Sequence, residues 1–150
     1  MKKVFLAFAA LVSSAGAAYA LDSNVSMTSS LKPADVRAKI GDFCGVANFV
    51  PVIEKCALSG DKKLRTITLK EGGTVVEAEE GNDATGYGYT IVSSPLPVAN
   101  YHARITIVDD PAGSKVIWTG KYDAEGVPDA EAKKLIDGIY EGGLKSLLGV

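Results

Sequence analysis

The stretch 99–123, ANYHARITIVDDPAGSKVIWTGKYD, decides the fold. Its first half alternates. Tyr101, Ala103, Ile105 and Ile107 fall on one parity, with Asn100, His102, Arg104 and Thr106 on the other. Its second half alternates too, with Val116, Trp118, Gly120 and Tyr122 against Lys115, Ile117, Thr119 and Lys121. Successive strand side chains point to opposite faces, so each half reads as a strand with one apolar and one polar face. Asp110-Pro111-Ala112-Gly113 between them supplies turn chemistry, which makes the pair an antiparallel hairpin.

Working backwards, the same pattern repeats. Strands are expected at 52–58, 64–70, 74–80 and 86–93, parted by Ser59-Gly60-Asp61, Gly72-Gly73, Gly81-Asn82-Asp83 and Ser94-Pro95-Leu96-Pro97. Tyr87, Tyr89 and Ile91 share one face. Before this meander, 24–30 reads as a short strand. Pro33 then suits the first turn of a helix, with Asp35 near its start and Val36, Ile40 and Phe43 at helical spacing. A second short helical turn is expected over 47–51. Working forwards, Pro128-Asp129 opens a helix to about Leu148, with Ala132, Leu135, Ile136, Ile139 and Tyr140 on its apolar face. The order predicts an α+β fold: one curved antiparallel sheet of about seven strands around a long C-terminal helix, with two short N-terminal helices.

The N-terminus has the layout of a secretory leader. Lys2 and Lys3 precede the apolar run 4–12, VFLAFAALV, and small residues lead to Ala18-Tyr19-Ala20. Cleavage after Ala20 leaves a single domain, 21–150, in the periplasm or outside the cell. The apolar run is shorter than the roughly 20 residues a spanning helix needs, and no stable membrane insertion is expected. Removing two lysines from 16 basic residues against 18 acidic ones takes the net charge from −2 to −4. That balance excludes a basic nucleic-acid footprint. Cys44 and Cys56 would both meet an oxidising compartment and pair, closing a short loop worth roughly 3 kcal/mol. Two thiols and one histidine are too few soft ligands for a closed zinc site, so no metal is expected.

Several runs in their order carry a resemblance: Phe43-Cys44-Gly45, Glu54-Lys55-Cys56, Gly73-Thr74-Val75-Val76-Glu77, Ser94-Pro95-Leu96-Pro97-Val98-Ala99-Asn100-Tyr101 and Val116-Ile117-Trp118-Thr119-Gly120. Together with the final helix they resemble the START-related, polyketide cyclase/dehydrase-like helix-grip superfamily (SRPBCC), over essentially the whole mature chain. The resemblance extends more distantly to the plant abscisic-acid receptors and the birch-pollen allergen group. It implies a deep cavity between sheet and long helix. In the receptor branch a strand Glu and the Tyr of an Asn-Tyr pair line that cavity, matching Glu77 and Asn100-Tyr101. The gate and latch loops correspond to 69–73 and 94–98, but without the receptor motifs, so neither abscisic acid nor a phosphatase partner is implied. Glu54 stands where the receptors carry a cavity Lys, which argues against an anionic ligand.

The candidate ligand-binding residues are therefore Glu77, Tyr89, Ile91, Tyr101, Ala103 and Trp118 from the sheet, and Leu135, Ile139 and Gly143 from the helix. Glu77 would be a polar anchor, with Arg65, Tyr89 and Tyr101 as partners, although Arg65 would need a bulge or edge position to point inward. Tyrosine and tryptophan suit such a cavity because each joins an apolar body to a polar tip. Gly138, Gly142 and Gly143 cost the helix about 1 kcal/mol each relative to alanine, and room for a ligand is one explanation. His102, the single histidine, falls on the outward face, so no Ser-His-Asp set can be built. No catalytic residue and no cofactor is assigned. The leading expectation is a carrier for a hydrophobic or amphipathic small molecule. A cyclase or dehydratase is the enzymatic alternative. A periplasmic protein partner is the third, since an exported helper of methanol dehydrogenase looks related.

Overall fold

A computed structural model describes residues 20–150, so the leader expected at 1–20 lies outside the described residues except for Ala20. Seven strands form one antiparallel sheet: β1 (Leu21–Ser29), β2 (Ile53–Leu58), β3 (Leu64–Leu69), β4 (Thr74–Asp83), β5 (Gly86–Ser93), β6 (Val98–Asp110) and β7 (Gly113–Ala124). Their spatial order is β1-β7-β6-β5-β4-β3-β2. Six strands thus run as a meander, and β1 crosses to pair with β7. The hairpin read from 99–123 is present, with Ile105 opposite Trp118 and Ile107 opposite Val116.

One irregularity in that hairpin matters for the site. The β6–β7 register shifts between Ala99 and His102, and Asn100 takes a positive φ of 52°. Asn tolerates that left-handed conformation better than most residues. Its side-chain amide donates to Asp123 Oδ2 at 2.8 Å, which holds the bulge. The extra residue lets Val98 and Tyr101 both face inward.

The N-terminal helices differ from expectation. Helix α1 (Pro33–Ile40) begins on its proline and stops at Gly41, whose φ is +71°. Phe43 lies beyond its end. The expected second helix is a single 3-10 turn, Gly45–Asn48. Gly45 packs so tightly that a Cβ there would lie 1.9 Å from the Ile40 carbonyl oxygen. The chain folds straight back on α1, and Pro51 soon after has no N–H to extend a helix.

Helix α2 (Asp129–Leu148) carries Asp129 and Glu131 in its first turn and Lys145 in its last, matching the helix dipole. It ends on Gly149 in the left-handed conformation. Its buried stripe is Ala132, Ile136, Tyr140, Gly143, Leu144 and Leu147. Against it lie Tyr101, Trp118 and Tyr122 from the sheet, while Val36, Ile40, Phe43, Val46 and Phe49 close one end of the core. Among the described residues no helix is long and apolar enough to cross a membrane.

Candidate functional site

Strands β3 and β4 set Arg65 directly opposite Glu77, with an unbroken register around them. Arg65 has the parity of Ile67 and Leu69, so it faces inward without the bulge expected for it. Its guanidinium is 1% exposed and Glu77 6%, so both charges are buried. Such burial is costly unless the charges are paired and hydrogen-bonded. They are: Arg65 Nε donates to Glu77 Oε2 at 2.5 Å, and Nη1 donates to the Phe43 carbonyl at 2.5 Å and to the Tyr87 hydroxyl at 3.1 Å. The Phe43 ring lies 4.0 Å from the guanidinium carbon and adds a cation–π contact.

Burial pushes the Glu77 carboxyl above its ordinary value, and the adjacent guanidinium pulls it part of the way back. Burial also works against the Arg65 charge. Tyr87, Glu77 and Tyr89 outweigh it and raise the guanidinium pKa further.

Beside this pair runs a chain of phenols. Trp118 Nε1 donates to the Tyr89 hydroxyl at 3.0 Å. Tyr89 and Tyr101 share a hydrogen bond of 3.3 Å, and Tyr101 shares another with Tyr140 of α2. The Trp118 and Tyr140 rings stack 4.5 Å apart. Burial raises the pKa of Tyr89 and Tyr101 well above the usual phenol value, and that of Tyr140 as well.

These groups line a cavity of about 510 Å³ between the sheet and α2. Of the expected residues, Glu77, Tyr89, Ile91, Tyr101, Trp118, Leu135 and Ile139 line it. Ala103 and Gly143 do not. Ala103 is buried in the sheet beside Gly120, its β7 partner. A Cβ on Gly143 would come within 2.7 Å of Trp118 Cζ3, so this glycine admits the indole and leaves no room for a ligand. Glu54 is exposed and absent from the lining. Arg65 joins the wall from the roster of partners, and Val46, Val50, Ile53, Ile67, Val75, Ile136 and Tyr140 line it without having been among the expected site residues. Alternation in β2, β3 and β4 could have found Ile53, Ile67 and Val75. The 3-10 turn that positions Val46 has no such period.

The rim is apolar and partly open, with Val52 46% and Leu135 39% exposed. A surface groove of about 560 Å³ adjoins it, passing Pro51, Val52, Leu135, Gly138, Ile139 and Gly142. Opposite, Leu69, Lys70, Glu71 and Leu96 complete the lining. The two loops there touch, since a Cβ on Gly73 would lie 3.1 Å from Pro95 Cγ. His102 is solvent-exposed on the outer face, 3.5 Å from Glu80 Oε2.

A curved sheet gripping a helix over an apolar chamber with a polar end is a hydrophobic-ligand-binding architecture of the START type. The family model for polyketide cyclase/dehydrase and lipid transport matches residues 21–148, and the chain belongs to that family. It is similar to the solved structure of a protein named XoxI from Bacillus cereus, at 30% identity and TM-score 0.82, over 85% of this chain and 93% of that one. A putative uncharacterized protein from Bacillus thuringiensis is similar at 29% identity and TM-score 0.80, over 86% and 97% of the two chains. A START superfamily protein from Mycobacterium smegmatis shares the fold at 16% identity and TM-score 0.69, over 87% and 95%. No functionally curated protein matches the chain.

Proposed function

We propose that this protein is an exported carrier that holds a hydrophobic or amphipathic small molecule in the chamber between its sheet and α2. The observation that carries the reading is the 510 Å³ cavity, walled by aliphatic and aromatic side chains, with the buried Arg65–Glu77 pair at one place in its lining. Its volume is in the range of about 300–1,000 Å³ common for small-molecule sites. Affinity would come from burying apolar ligand surface, about 25 cal/mol per Å². Glu77, Tyr89, Ile91, Tyr101, Trp118, Leu135 and Ile139 are the proposed contacts. The Cys44–Cys56 disulfide and the leader-like N-terminus support a periplasmic or secreted location.

The carrier reading is preferred to a cyclase or dehydratase for a chemical reason. A general acid or base works best with a pKa near the operating pH. The three phenols are tied to one another and raised away from it. Burial moves Glu77 towards it, but Arg65 Nε occupies Glu77 Oε2, so that oxygen is engaged in an ion pair rather than free for a substrate proton. The test is native mass spectrometry of the protein purified from its own cell envelope. The expected result is a retained small apolar molecule that the cavity-filling Ile91→Trp variant no longer carries. An empty wild-type protein that also fails to take up any apolar probe would end the carrier reading.

A further inference from the structure

The hydrogen bonds in the cavity wall do not balance among the described residues, and the imbalance has a definite chemistry. A carboxylate accepts at both oxygens, and a guanidinium has five N–H donors. Glu77 Oε2 is taken by Arg65, while Oε1 has no hydrogen-bond partner among the described residues. Arg65 spends Nε and Nη1 on Glu77, Phe43 and Tyr87, and Nη2 has no such partner. Both residues line the cavity.

The phenol chain is short of an acceptor in the same way. Trp118 can only donate, so its N–H goes to Tyr89. Three hydroxyl protons then remain for the two links Tyr89–Tyr101 and Tyr101–Tyr140. Whichever way the chain is oriented, one proton is left over, on Tyr89, Tyr101 or Tyr140. All three residues line the cavity. The wall therefore offers one carboxylate acceptor together with spare O–H and N–H donors.

We infer that the polar end of the ligand is an uncharged group that both donates and accepts, such as a hydroxyl or a primary amide, seated between Glu77 and the Arg65 and tyrosine donors. This rests on the carrier reading above and names the class of molecule carried. A carboxylate head has no proton for Glu77 and brings a second negative charge beside it. Glu77 Oε1 is open to the cavity, since among the described residues the one sealed side-chain polar atom without a partner is Ser114 Oγ. An ether or a pure hydrocarbon seated there would displace water from that oxygen and give it no donor in return, the situation that costs affinity most.

The experiment uses wild-type protein stripped of bound small molecules and four probes sharing one ring system: naphthol, naphthamide, methoxynaphthalene and naphthoate. Affinities are measured near neutral pH by titration calorimetry. Naphthol and naphthamide are expected to bind about tenfold or more tighter than methoxynaphthalene, and naphthoate to bind weakest. In the paired Arg65→Met, Glu77→Leu variant, which leaves no lone charge behind, the naphthol-to-methoxynaphthalene ratio is expected to fall to about one. Equal binding of all four by the wild type, or naphthoate binding best, overturns the assignment of the head group while leaving a carrier in place. No binding of any probe overturns both.

Discussion

Gly143 of α2 lies against the Trp118 ring so closely that a Cβ at position 143 would sit 2.7 Å from Trp118 Cζ3 and 3.3 Å from Val50 Cγ2. The indole is buried, stacked on Tyr140 and hydrogen-bonded to the Tyr89 hydroxyl, so displacing it disturbs both contacts. Gly143→Ala gains about 1 kcal/mol of helix propensity and loses about 1–3 kcal/mol to overpacking. The expected outcome is a lower melting temperature. Gly138→Ala, one and a half turns earlier with nothing within 4 Å of its added Cβ, is expected to raise it. Thermal unfolding of the two variants side by side checks this. A stabilised Gly143→Ala would show that the helix can move off the sheet at no cost.

The Arg65–Glu77 pair should respond to pH in a particular direction. Glu77 has a folded pKa above its unfolded value of 4.5. Between those two values the native state binds more protons, so this group's contribution to stability falls as pH rises from about 4.5 through the folded pKa. Arg65→Met removes the cation that restrains the shift. The variant is expected to lose about 3–5 kcal/mol near neutral pH, and progressively less as the medium is acidified and Glu77 takes up its proton. Urea unfolding of wild type and variant across the acid range measures both slopes. Parallel curves would mean that Glu77 is ionised with ease in the absence of Arg65.

Much of this site was legible in the sequence, and the reasons for the remainder are local. Alternation along β6 and β7 placed Tyr101 and Trp118 on the inner face, and both are there. Arg65 shares the parity of Ile67, so the bulge or edge position expected for it is not needed, even though a charge is seldom buried. The residue that settles it is Glu77, directly opposite on the next strand, a relationship that depends on register. The bulge at Asn100 is visible only as an Asn able to take positive φ. Gly143 is a harder case. A glycine facing a chamber and a glycine admitting an indole give the same letter, and only the position of Trp118 across the interface separates them.

The phenols make a second pH prediction. Burial raises the pKa of Tyr87, Tyr89, Tyr101 and Tyr140 above the ordinary 10.0. In the unfolded chain the same groups lose their protons near that value. Above it the native state holds more protons, so stability falls as pH rises past about 10. Phenolate absorbance of these four residues is expected to be silent while the fold persists and to appear together with loss of near-ultraviolet circular dichroism. A smooth titration of all four near pH 10 in the folded protein would show that water reaches the chain of hydroxyls.

The disulfide closes the side of the chamber next to the ion pair. Cys44 follows Phe43, whose carbonyl accepts from Arg65 and whose ring lies over the guanidinium. Its bond to Cys56 ties this turn to β2, with the Cα atoms 5.5 Å apart and a sequence separation of 12. A loop that short confers about 3 kcal/mol by restricting the unfolded chain. The Cys44→Ala, Cys56→Ala variant is expected to lose about that much in urea unfolding. Because Phe43 and Val46 flank the bridge, amide exchange over 43–48 should quicken more than exchange in β6 and β7. If the loss were instead uniform across the sheet, the bridge would be acting on the unfolded state alone, and the wall around Arg65 would be held by packing of Phe43 and Tyr87, whose rings meet edge to face at 5.4 Å.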